Sequence, residues 1–141
     1  LVEKWNFSAT INFESTYSNY GKKQQIQAPE NAFDIMEVFK STQSKSNDSK
    51  RLADIRMMAS ALELFFNDKN QYPENLQLLT PSYISTIPSA PLPPDGNCTS
   101  EENNYKYEFI NSNSYELNFC LGQETGGYQA GKHYLNPAGI K

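Results

Sequence analysis

The longest pattern in the chain is a helical one, between residues 50 and 67. This segment contains neither glycine nor proline, and apolar side chains recur in it at every third or fourth position. That spacing places them on one face of an α-helix, as a stripe suited to burial. The stripe consists of Leu52, Ile55, Ala59, Leu62 and Phe66. Asp48 or Ser49 is the expected N-cap, because either side chain can accept a hydrogen bond from the first helical N–H groups.

A second apolar strip lies on the same predicted helix. It is formed by Ala53, Met57, Ala61 and Leu64. A helix that lies on a sheet with its back to water needs only one apolar face. The second strip therefore either belongs to the domain's own core or contacts another molecule.

Strict alternation of apolar and polar positions predicts a β-strand near the start of the chain. The apolar positions are Trp5, Phe7, Ala9, Ile11 and Phe13, and a period of two is typical of a half-buried strand. This strand either forms an extra edge of the domain's own sheet or adds to the sheet of a neighbouring subunit. Residues 105–110 and 115–121 predict an antiparallel hairpin, with one further short strand around 133–135.

Between the first predicted strand and the long helix, the spacing of apolar and polar positions is less regular. Residues 33–39 predict a short apolar helix, and the polar residues 41–47 predict a linker or a frayed helical turn. We therefore divide the chain into an N-terminal arm, residues 1–47, and a head domain, residues 48–141. The expected fold class is α+β, with the long helix packed on a small antiparallel sheet and preceded by a strand-bearing arm.

The composition narrows the possible functions. The 141 residues carry a formal net charge of −4, whereas nucleic-acid-binding proteins normally present a basic face, so nucleic acid is not an expected partner. No apolar run reaches the roughly 20 residues that span a bilayer. With one histidine, two cysteines and no Cys-x-x-Cys pair, the chain lacks the ligands of the usual zinc sites.

A set of short motifs follows in order from Asp48 onward. The helix ends on Ala61, Leu62, Glu63, Phe65 and Phe66, and an Asn/Asp-rich turn leads to Gln71, Tyr72 and Pro73. Residues 76–81 and 83–88, a tyrosine-rich hairpin and a glycine-containing close at 119–131 come next. The order and spacing of these motifs resemble the head domains of bacterial type IV pilins and type II secretion pseudopilins.

The resemblance implies a pilin-like head whose helix serves both its own sheet and a filament. The second apolar strip would then be shared between core and assembly contacts, and the first strand would allow strand exchange. The candidate assembly residues are Ala53, Met57, Ala61, Leu64, Trp5, Phe7, Ile11 and Phe13. The implied partners are copies of this chain or related pilin subunits. Contact with a membrane is expected only through a segment absent from this chain.

Cys98, in a proline-rich loop, and Cys120, in the second hairpin strand, are expected to form a disulfide that joins the loop to the sheet. Pilin heads often carry such a bridge, and the alternative is two unrelated buried thiols. Cys120 and His133 lack the orienting group and oxyanion hole that a nucleophile–base pair needs. Pseudopilins hold calcium in C-terminal loops, but Glu124 is the only acidic residue in 122–131 here, so Asp95, Glu101 and Glu102 are expected to be solvated. We expect no catalytic site, metal or cofactor.

The sequence therefore predicts a structural protein and not an enzyme. The expected function is that of an exported subunit of an extracellular or periplasmic filament, similar to a type IV pilus or pseudopilus, assembled through burial of apolar helix surface. The alternative is an anchored extracellular binding or adhesion domain that has a pilin-like head and does not polymerise.

Overall fold

A computed structural model describes residues 35–141 of the chain. Its elements are helix α1 (Ile35–Lys69), a short 3-10 helix (Leu76–Leu79) and strands β1 (Lys106–Asn111), β2 (Ser114–Leu121), β3 (Gly131–Asn136) and β4 (Gly139–Ile140). The chain is thus α+β in this part, as predicted. The predicted strand that contains Trp5, Phe7, Ile11 and Phe13 lies outside the described residues.

The four strands form one antiparallel sheet in the order β1-β2-β3-β4. The predicted hairpin is confirmed, with Tyr107 opposite Leu117 and Phe109 opposite Tyr115. The third predicted strand is also present, as β3, and it places His133 opposite Phe119. The two-residue strand β4 was not predicted. Because side chains alternate along each strand, every second residue of the sheet faces α1.

The core lies between the sheet and the second half of α1. Ile55, Met58 and Leu62 have no exposed surface, and they pack with buried side chains of β2 such as Leu117 and Leu121. The predicted apolar stripe is therefore the core face of the helix. Ala59 and Phe66 lie at its half-buried margin. The sheet and the helix together enclose one cluster of buried aromatic and aliphatic side chains.

The first half of α1 differs from the prediction. Residues 41–47 are helical, so the predicted linker and the predicted helix start at Asp48 or Ser49 are both wrong. No glycine or proline interrupts the backbone between Ile35 and Lys69, and Ser44 and Asp48 are buried although they are polar. The helix crosses residue 47, where the arm and the head were divided. The extent of a separate arm stays a prediction, because residues 1–34 lie outside the described part.

The end of α1 agrees with the predicted stop. Asn70 adopts a left-handed conformation with φ of 54°, and its N–H donates to the Phe66 carbonyl at 2.7 Å. This arrangement is a common helix C-terminus. The Tyr72 N–H then donates to the Ser112 carbonyl at 2.9 Å, which ties the segment after the helix to the β1–β2 turn.

Candidate functional site

The predicted disulfide is present between Cys98 and Cys120, with a Cα–Cα distance of 5.8 Å. It fixes the long loop between the 3-10 helix and β1 to the second strand of the sheet. Both cysteines are buried. In the chain-entropy model, a cross-link that closes a loop of this size contributes about 3 kcal/mol. A disulfide also fits an oxidising compartment.

The same loop brings polar side chains against α1 and forms a buried network, the Arg51 cluster, made of Asp48, Arg51, Asp95 and Asn103. Arg51 Nη1 donates to Asp48 Oδ1 at 2.7 Å and to Asp95 Oδ1 at 2.9 Å. Its Nη2 donates to Asn103 Oδ1 at 2.7 Å. The side chains of Asp48 and Arg51 have no exposed surface. The cluster therefore joins one helix to the disulfide-bearing loop on both sides of Cys98.

Asp48 also anchors the segment that follows β2. Its two carboxylate oxygens accept hydrogen bonds from the backbone N–H groups of Gly122 and Gln123, both at 2.8 Å. A buried carboxylate is costly unless it is paired and hydrogen-bonded. Here two N–H groups and one guanidinium satisfy it, so Asp48 caps a loop and does not cap the helix that it belongs to.

Close packing surrounds Asp95. Ser44 Oγ donates to Asp95 Oδ1 at 3.1 Å, and Asn47 Nδ2 donates to Asp95 Oδ2. Gly122 lies directly beside this carboxylate. A Cβ atom on Gly122 would lie 2.5 Å from Asp95 Oδ1 and 2.6 Å from Ser44 Oγ. Only glycine fits this position without displacement of the cluster.

The electrostatics of the cluster favour the charged form of Arg51. Burial disfavours the guanidinium, but hydrogen bonds to Asp95 and Asp48 and the charges of both carboxylates outweigh that penalty, so the pKa of Arg51 is raised. Arg51 Nε is buried and has no hydrogen-bond partner among the described residues. Every carboxylate of the cluster is already paired. This chemistry suits a structural link better than proton transfer or metal binding.

A second polar group lies one turn further along α1. Asp54 Oδ2 accepts hydrogen bonds from Lys50 Nζ at 2.7 Å and from the Tyr105 hydroxyl at 3.0 Å. Burial and the adjacent Asp54 charge raise the pKa of Tyr105. Tyr105 directly precedes β1, so this contact links the start of the sheet to the same face of the helix as the Arg51 cluster.

The candidate assembly residues on α1 do not share one environment. Met57 is 49% exposed and Leu64 is 54% exposed, and Ala53 is exposed as well. Ala61, by contrast, is 2% exposed and belongs to the core. The second apolar strip is therefore open to solvent at three of its positions and buried at the fourth.

An exposed apolar group occupies the first turns of α1, in the region where the sequence predicted a separate short apolar helix at residues 33–39. Ile35 is 62% exposed, Phe39 is 66% exposed, and Val38 is exposed between them. Phe39 and Met57 are 18 residues apart, which is about five helical turns, so they lie on the same side of the helix about 27 Å apart. Two apolar patches thus lie along one face of one helix.

Several side chains that the sequence analysis considered for catalysis or metal binding take part in structural contacts. Cys120 is bonded to Cys98 and is not a thiol. Among the described residues, no three histidine, cysteine, aspartate or glutamate side chains are grouped in a way that could hold a metal ion. Asp95 belongs to the Arg51 cluster, and Glu102 pairs with Lys132 at 2.8 Å. Within residues 35–141, no helix has the length and hydropathy needed to cross a bilayer.

The Arg51 cluster was missed because it leaves no apolar signal. The sequence does show opposite charges at helical spacing, Asp48 with Arg51 and Lys50 with Asp54. Such pairs usually stabilise an exposed helix face only slightly. The burial of Asp48 and Arg51 depends on Asp95 and Asn103, which are more than forty residues away, so local spacing alone could not identify it.

No family model, no curated protein and no solved structure matches this chain.

Proposed function

We propose that this chain is a structural subunit of an extracellular or periplasmic filament, of the type IV pilus or pseudopilus kind, that assembles through burial of apolar helix surface. The observation that carries the proposal is the pair of exposed apolar patches on α1. One patch is Ile35 and Phe39 and the other is Met57 and Leu64. The disulfide supports an exported protein, because such bonds persist in oxidising compartments.

The two patches suit a head-to-tail contact. They lie on one side of a helix that is about 52 Å long. If the first patch of one copy packs on the second patch of the next, an assembly of any length keeps one open patch at each of its two ends. A contact between two different surfaces repeats without closing and generates a filament. The residues that the proposal assigns to assembly are therefore structural and not catalytic.

The experiment uses two substitutions, one in each patch. Phe39→Ser and Leu64→Ser should each prevent filament formation in negative-stain micrographs and large species in sedimentation velocity. Both side chains are exposed, so neither change should alter the stability of the fold by more than about 0.5 kcal/mol. Leu92→Ser is the matched control, since Leu92 is an exposed leucine that belongs to neither patch and lies outside α1.

A mixture of the two variants distinguishes head-to-tail packing from non-specific association of exposed apolar surface. Phe39→Ser keeps an intact second patch, and Leu64→Ser keeps an intact first patch. Mixed together, the two variants should bind each other through their intact patches, whereas neither variant should bind its own copies through α1. The proposal is wrong if the unsubstituted chain stays monomeric up to millimolar concentration, or if both variants assemble as the unsubstituted chain does.

One observation favours the alternative, a binding or adhesion domain that does not polymerise. A groove of about 620 Å³ lies between the first half of α1 and the loop around Asp95, lined by residues such as Lys40, Ser41 and Asn47. This volume falls within the usual range of ligand sites. If the chain proves to be monomeric, this groove is the surface at which ligand binding should be tested first.

A further inference from the structure

Within residues 35–141, the outer edge of β1 is the long open edge of the sheet. β1 is six residues long and pairs only with β2 among the described residues, whereas the opposite edge is the two-residue strand β4. No backbone hydrogen bond within 35–141 connects residues 106–111 to anything except the hairpin that they form. An unpaired edge of this length is a template for another strand.

The side chains of β1 divide between the two faces of the sheet. Tyr107 and Phe109 face the core and are only partly buried. Glu108 lies on the other face, directly opposite Glu116 of β2. Like charges at directly opposed positions destabilise a strand pair. No ion pair of the described residues involves Lys106, Glu108 or Glu116, so no salt bridge within 35–141 offsets this repulsion.

The sequence around Tyr107 is complementary to itself. Residues 105–109 read Tyr-Lys-Tyr-Glu-Phe. If two copies of this segment pair antiparallel about a two-fold axis at Tyr107, then Lys106 of each copy lies opposite Glu108 of the other. On the core face, Tyr107 lies opposite Tyr107 of the other copy, and Tyr105 of each copy lies opposite Phe109 of the other. Opposite charges and aromatic pairs are the cross-strand combinations that stabilise a sheet.

The surroundings of β1 leave room on the core face for this arrangement. A groove of about 250 Å³ separates the segment 74–77 from Tyr105 and Tyr107. Phe109 of a second copy, opposite Tyr105, would lie beside this groove. On the outer face, Lys106 of the second copy would bring a cation next to Glu108 and so offset its repulsion with Glu116.

We propose that β1 is a dimerisation edge, at which two copies of this chain pair antiparallel about Tyr107 to form one continuous eight-stranded sheet. The interface is isologous, so the same strand serves both copies and the contact closes at two. The dimer does not depend on the apolar patches of α1. It is therefore separate from the filament contact proposed above.

A charge exchange in β1 tests the register directly. Lys106→Glu turns both cross-strand ion pairs into acidic repulsions, and Glu108→Lys turns both into basic ones. Each variant should raise the dimer Kd, measured by sedimentation equilibrium, by about tenfold or more. The double variant Lys106→Glu with Glu108→Lys should restore the dimer, and an equimolar mixture of the two single variants should form a heterodimer.

The controls carry the same charge changes elsewhere. Lys45→Glu and Glu124→Lys alter exposed residues away from β1 and should leave the Kd unchanged, as should Phe39→Ser on the helix. Far-UV circular dichroism checks that each variant is folded. The proposal is overturned if the unsubstituted chain shows no dimer, if the single variants dimerise as well as it does, or if the double variant and the mixture fail to restore the dimer.

Discussion

The two halves of α1 are attached to the rest of the domain by different forces. From Leu52 to Phe65, the helix is held by apolar side chains that pack on the sheet. From Ser44 to Arg51, it is held by hydrogen bonds and ion pairs to the disulfide-bearing loop and to the residues after β2. We call these the apolar segment and the polar segment of α1. One continuous helix thus combines an apolar core contact with a contact made of hydrogen bonds and ion pairs.

The difference has an energetic consequence. Apolar contacts lose stability roughly in proportion to the volume removed. A buried ion pair adds little net stability over a well-packed apolar group, but removal of one partner leaves an unpaired buried charge, which is strongly destabilising. The contacts of the polar segment are therefore expected to add little to the free energy of unfolding, whereas removal of one partner should lower that free energy strongly.

The largest effect is expected from Arg51→Met. The substitution leaves Asp48 and Asp95 without their guanidinium, and we expect a loss of about 3 to 5 kcal/mol in the free energy of unfolding. Urea denaturation followed by circular dichroism measures it. Arg56→Met is the matched control, because Arg56 is an exposed arginine of the same helix, and its replacement should cost less than about 0.5 kcal/mol.

The double variant Asp48→Asn with Arg51→Met sharpens this test. It removes the buried acid together with its partner, so it should be less destabilised than Arg51→Met alone. If Arg51→Met costs no more than Arg56→Met, the cluster does not hold the polar segment. If the double variant is less stable than the single one by the full cost of Asp48, the two residues act independently.

The apolar segment is tested by two leucines that are two positions apart. Leu62 has no exposed surface, whereas Leu64 is 54% exposed. Leu62→Ala should lower the free energy of unfolding by about 3 kcal/mol, since it leaves a cavity in the core. Leu64→Ala should change it by about 0.5 kcal/mol or less. Equal losses in the two variants would contradict the assignment of the core face.

The sequence predicted the apolar segment well and the polar segment poorly. Spacing of three and four residues identified Leu52, Ile55 and Leu62, because burial of one helix face imposes that period. The two strand-like segments 105–110 and 115–121, joined by the polar stretch 111–114, identified the hairpin. The helix extends to Ile35 because nothing in its backbone interrupts it, and the polar composition of 41–47 concealed this.

The candidate site shows the same division. The disulfide was predictable from two cysteines, one in a loop and one in a strand. The cluster of Asp48, Arg51, Asp95 and Asn103 was not, since its partners come from positions that only the folded chain brings together. Helical spacing placed Ala61 in the second apolar strip, but it is 2% exposed and belongs to the core, so spacing alone did not determine the width of the core face.

The smallest effect concerns a surface ion pair from the same loop, in which Lys132 is exposed and Glu102 is partly buried. Glu102 pairs with Lys132 of β3, and hydrogen bonds from Lys132 and then Thr99 lower the pKa of Glu102 to about 2. Since the folded pKa lies below the ordinary value of 4.5, the carboxylate stabilises the fold above pH 4.5, and this contribution is lost as the pH falls towards 2. Glu102→Gln should therefore flatten the melting temperature against pH in that window. The effect should be small and should shrink further in salt, because water and ions screen exposed pairs.

Glu101→Gln, at an exposed neighbour with no ion pair among the described residues, should keep the melting-temperature profile of the unsubstituted chain. A profile of Glu102→Gln as steep as that of the unsubstituted chain would mean that the pair with Lys132 does not set the stability of the fold in this pH window.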